Sequence, residues 1–170
     1  SRKRELRDRT INLEDRASQL IALYQPTAKD MRVIVCILKI IAGSERIGRY
    51  GKDIASMTRR IQDEPISPNP PPLPHMASLV INMIDDVANA FEKEDMVLIE
   101  EFSSRDDVID DLWHSIFRQT LEIMMENPKT INRYTSYIMA ARYLERCADY
   151  ACKMAENVHY AIIGNRIDIK

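Results

Sequence analysis

Tyr143-Leu144-Glu145-Arg146-Cys147-Ala148-Asp149 decides the fold, because Gly43-Ser44-Glu45-Arg46-Ile47-Gly48-Arg49 says nearly the same thing one hundred residues earlier. Each copy follows a polar pair at helical spacing: Asp8 and Asn12 before the first, Asp106 and Asp110 before the second. A stretch repeated at this distance, with acids at matched positions, reads as a tandem duplication of one helical unit.

Working outward from the copies, apolar residues recur at helical spacing throughout. Leu6, Leu13, Ala17, Leu20 and Tyr24 mark one face of a helix over about residues 2–24. After Pro26 a second helix runs over about 28–61, with Ile34, Leu38 and Ile41 leading into Glu45. Six of the 8 prolines then fall within Pro65-Ile66-Ser67-Pro68-Asn69-Pro70-Pro71-Pro72-Leu73-Pro74, a density no helix survives. Three more helices are expected beyond it. Met76, Val80, Met83, Val87 and Phe91 stripe the third, and Phe102, Ile109, Trp113, Phe117 and Leu121 the fourth, over about 95–126. The fifth runs over about 129–163. The expected organisation is all-α: a first repeat over 1–63, a proline-rich linker over 64–75 and a second repeat over 76–164. The first repeat has two helices and the second three, so the counterpart of the Met76–Phe91 helix is expected to be missing ahead of Ser1.

Antiparallel neighbours place residues equidistant from their turn side by side, since both helices rise about 1.5 Å per residue. Measured from Asn127 and Pro128, Asp110 stands level with Glu145, and Asp106 with Asp149 one turn further along. Each pair shares one face of its own helix and continues an apolar stripe. Four carboxylates gathered beside a core would repel one another and lose hydration, which calls for a cation. A divalent or ferric ion held by Asp106, Asp110, Glu145 and Asp149 is one answer. The competing reading is that Arg142 and Arg146 meet the charge locally, as arginines on helices commonly do. In the first copy Asp8, Asn12, Glu45 and Arg49 fall level by the same rule, but Arg49 stands where the fourth acid would. That half is expected to form an internal charge pair and to bind metal poorly.

The other chemistry is thin. With 45% hydrophobic and 29% charged residues the chain is an ordinary folded one, and only 4 glycines and no period-two alternation argue against sheet. A net charge of −2 supplies no general attraction to nucleic acid or anionic lipid. The 3 cysteines have no Cys-x-x-Cys pair and suit a reducing compartment. The longest apolar run, residues 33–42, is too short to span a bilayer, so no membrane insertion is expected. A ferritin-like di-iron bundle needs two Glu-x-x-His motifs, and only Glu156 to His159 qualifies. His75 reads as a solvated linker residue, His114 as a helix-surface one, and Met124, Met125 and Met139 as core, with an adaptable partner surface as the alternative for the methionines. There is no glycine-rich phosphate loop and no nucleophile with a patterned histidine partner. An enzyme is not expected.

The repeated Glu-Arg helix, Arg105-Asp106-Asp107-Val108-Ile109-Asp110 and the turn Tyr24-Gln25-Pro26-Thr27-Ala28-Lys29-Asp30-Met31-Arg32 together resemble the PhoU family of phosphate uptake regulators. The likeness covers nearly the whole chain. It implies two antiparallel three-helix bundles, the first here lacking its first helix, in a cytoplasmic and often dimeric protein. It further implies a regulator that acts by contact with the ATPase of the phosphate ABC transporter, with a phosphate-sensing histidine kinase, or with both, and without binding nucleic acid itself. Iron or zinc at the Glu145 and Asp149 motif is implied as well, with manganese or magnesium as alternatives. The sequence departs from the family pattern at Arg49, where the family usually has Asp. Two rival readings stand beside this one: a metal store or metal-dependent enzyme built on the acidic tetrad, and a PhoU-like module of a larger transcription regulator or transporter.

Overall fold

The structure, a computed structural model, describes residues 2–64 and 69–169. Helices α1 (Arg2–Tyr24) and α2 (Ala28–Ile61) form one hairpin; α3 (Leu73–Lys93), α4 (Phe102–Glu126) and α5 (Ile131–Ile163) form a three-helix unit. Among the described residues there is no strand, and no helix is long and apolar enough to cross a membrane. Part of the expected linker, residues 65–68, lies outside the described residues. Its C-terminal end differs from expectation: α3 starts at Leu73 and takes Pro74 into its first turn, where a missing N–H costs nothing. His75 therefore sits on a helix, still exposed. Between α3 and α4 the 3₁₀ turn Met96–Ile99 replaces the expected early start of the fourth helix, with Asp95 capping it through the N–H of Val97.

The spine is α5, against which α2, α3 and α4 all pack. Ala141, Ala148, Ala151, Ala155 and Ala161 are buried along it, small enough for three neighbours to approach closely. From α3 the stripe Met76, Val80, Met83 and Val87 is wholly buried, as its spacing requires. On α4 the buried face is turned from the expected one. Phe102, Ile109, Ile116 and Thr120 face inward, whereas Phe117 and Leu121 are more than a third exposed. Thr120 tolerates burial because its hydroxyl donates to the Ile116 carbonyl. Met125 is 83% exposed and Met139 stands at the surface as well, so neither is core.

Helix α2 lies antiparallel along α5, and Gly43 sets the separation. A Cβ there would stand 2.9 Å from Sδ of Met154, closer than packed atoms come. At the far end Arg133, nearly buried on α5, donates to the Ile61 and Glu64 carbonyls and ties down the C-terminus of α2. A guanidinium at that end also meets the negative pole of the helix. Helix α1 contacts α2 alone among its larger contacts and buries little: Thr10 and Ala17 are covered, while Leu13, Leu20, Leu23 and Tyr24 are exposed.

Candidate functional site

The α4–α5 hairpin brings Asp110 near enough to Glu145 for its field to act on that carboxyl. The Arg142 guanidinium lies 5.6 Å from the Trp113 ring centroid, a pair equidistant from the turn in the same register as Asp110 and Glu145. Asp106 and Glu145 are buried, and Asp110 and Asp149 are partly so. The faces chosen from sequence therefore do point inward.

Two of the four acids, Glu145 and Asp149, are paired with arginines. Nη1 of Arg142 donates to Oε1 of Glu145 at 2.7 Å, and Nη1 of Arg146 donates to Oδ2 of Asp149 at 2.9 Å. Nε of Arg146 stands 3.7 Å from Oε2 of Glu145, a buried oxygen with no hydrogen bond among the described residues. The result is a run of contacts on α5: Arg142–Glu145 and Arg146–Asp149 are each three residues apart, and Arg146 also nears its sequence neighbour Glu145. Burial raises the Glu145 carboxyl above its usual value; the fields of Asp149 and Asp110 add to this, and Arg142 and Arg146 only partly oppose it. Among the described residues no group of three or more His, Cys, Asp or Glu side chains is placed to hold a metal ion. Guanidiniums occupy Oε1 of Glu145 and Oδ2 of Asp149, so an ion bound there would have to displace them.

In the first copy only two of the four residues are seen to pair among the described residues. Nη2 of Arg49 donates to Oε1 of Glu45 at 2.5 Å, while Asp8 and Asn12 stand exposed on α1. What the sequence did not disclose is that the two copies meet. Tyr50, one residue past the first copy, stacks on Tyr143 with centroids 5.3 Å apart and lies 6.2 Å from Tyr150. It thus covers the turn of α5 that carries Arg146. Nothing in the one-dimensional pattern pairs these aromatics; only the antiparallel course of α2 along α5 does. The cysteines take no part, since Cys36, Cys147 and Cys152 are buried and burial pushes the Cys36 thiol up to about 11 and that of Cys147 to about 12.

Known proteins share this chain's sequence and shape. The PhoU domain profile matches residues 1–58 and 73–158. A phosphate-specific transport system accessory protein PhoU homolog of Caulobacter vibrioides is 35% identical over 91% of this chain and 68% of its own length. The homolog of the same description from Clostridium acetobutylicum is 32% identical over 92% of this chain and 72% of its own length. The crystal structure of PhoU from Pseudomonas aeruginosa superposes with a TM-score of 0.90 at 29% identity, covering 96% of this chain and 78% of that one. The chain belongs to the PhoU domain family.

Proposed function

We propose that this chain is an accessory regulator of phosphate uptake and phosphate-responsive signalling that acts by protein contact and not by turnover. The supporting observation is the joint likeness of sequence and fold to proteins named as accessory to a phosphate-specific transport system. In this reading its partners are the ATPase of the phosphate ABC transporter and a phosphate-sensing histidine kinase, in the cytoplasm, and the protein is a homodimer. The test is retention of the purified transporter ATPase by immobilised protein, with and without ATP. Retention above that of an unrelated helical bundle is expected. Its absence in both nucleotide states, or phosphoester hydrolysis by the chain alone, would overturn the reading. Sedimentation at two concentrations reads the dimer.

A metal at these α5 contacts is a second proposal, resting on the buried Glu145 Oε2, which has no hydrogen bond among the described residues. Iron or zinc there would have to displace guanidiniums. Arg142→Ala with Arg146→Ala should then raise zinc uptake, measured by elemental analysis, and Glu145→Ala with Asp149→Ala should abolish it. Equal metal content in all three proteins would rule the site out.

A further inference from the structure

On the outer side of the α2–α5 contact a groove of about 230 Å³ opens between the helices. Its floor is Gly43 and Met154, both buried, and its rim carries Lys39, Arg46 and Lys153, all exposed. Among the described residues none of these three cations has an ion-pair partner within 4.0 Å; Lys153 only overlies the Tyr150 ring at 5.8 Å. The nearby acids are already engaged. Glu45 holds Arg49, Asp149 holds Arg146, and Glu156 accepts the backbone N–H of Ile169. On a chain whose net charge is −2, this is a local concentration of uncompensated positive charge around an apolar floor.

The floor decides what the rim is for. A small oxyanion needs converging N–H donors, but the floor offers a thioether and a glycine Cα, and the Asn157 amide at its end donates back to the Lys153 carbonyl. The volume falls below the ~300–1,000 Å³ typical of sites for whole organic ligands, while admitting one or two apolar side chains. Lys39 and Arg46 are two helical turns apart along one rim, about 10 Å, with Lys153 opposite and between them. We infer that this groove docks an acidic amphipathic helix of a partner protein, which seats an apolar side chain over Gly43 and sets carboxylates against Lys39, Arg46 and Lys153. The inference rests on the reading that the chain works by protein contact. It adds the surface and the chemistry of the partner segment.

The probe is a fluorescein-labelled helical peptide of leucine, alanine and glutamate, with a lysine-for-glutamate peptide as control, titrated by anisotropy into the full chain. The acidic peptide should bind, lose affinity as salt is raised, and bind at least about tenfold more weakly to the Lys39→Glu, Arg46→Glu, Lys153→Glu variant. The control peptide should not bind the unaltered protein. Because all three side chains are exposed, circular dichroism of the variant should match that of the unaltered protein. No binding of the acidic peptide, equal binding by protein and variant, or displacement by inorganic phosphate where matched chloride has no effect would each overturn the inference. The ATPase retention assay reads the partner separately. Loss of ATPase binding with peptide binding intact removes that partner and leaves the groove.

Discussion

Glu145 holds a carboxylate where water scarcely reaches, and its raised pKa carries a sign that can be tested. A native state that binds the proton more tightly than the unfolded chain is favoured at low pH. That contribution is complete below about 4.5, the ordinary value, and is lost as the pH climbs through the raised native value. Glu145→Gln, neutral throughout, should therefore flatten the fall of melting temperature between pH 4.5 and neutrality. The slope is the readout, since the variant also loses charge-assisted bonds from Arg142 and its level will shift. An unchanged slope would place the charge cost on another residue. The inward aim of Glu145 and Asp106 was legible in the sequence, because a hairpin can be measured from its turn. How the charge would be met was not, since arginine and a metal ion both satisfy a count of acids. In this structure Arg142 and Arg146 each lie within one turn of the acid they pair with.

Helices differ in how much their pattern disclosed, and the reason is what lies across from each one. The α3 stripe reads directly into burial because two helices cover it. On α4 the large residues Phe117 and Leu121 suggested a face that the structure leaves half-open, and a threonine satisfied by its own helix took the buried place. On α1 the stripe was real but lies mostly uncovered, and amphipathicity cannot tell whether a partner is present. The α2–α5 contact was not legible at all, except as a glycine within an apolar helix. Gly43 and Gly51 make that contrast measurable. Among the described residues nothing lies within 4 Å of a Cβ at Gly51, so Gly51→Ala should stabilise by roughly 1 kcal/mol through helix propensity. Gly43→Ala gains the same amount but meets Met154 Sδ, and overpacking costs about 1–3 kcal/mol, leaving a net loss of up to ~2 kcal/mol. In a Met154→Ala background the same change should turn stabilising, which a double-mutant cycle in urea would show. Arg133→Met should cost about 1–3 kcal/mol, because the Ile61 and Glu64 carbonyls lose a charged donor. If its urea midpoint equals that of the unaltered protein, the clamp holds nothing.

At the scale of the whole molecule, the repeats are joined by more than sequence. Their closest contact is α2 on α5, one helix from each half, fastened by Gly43 over Met154, by Tyr50 between two tyrosines, and by Arg133 on the end of α2. Peptide connectivity through the proline-rich stretch adds only a tether to surfaces that already match. Effective concentration is what such a tether contributes, and two chains made at high level in one cell supply it by other means. Residues 1–64 and 69–170, produced as separate polypeptides from one plasmid with a tag on the first alone, should elute together and unfold in one transition. Recovery of the tagged piece by itself would show that the seam between the repeats depends on covalent linkage. If the pieces do pair, the molecule is at heart a complex of two related subunits that happen to share a backbone, and a break in the proline-rich stretch would leave its architecture standing.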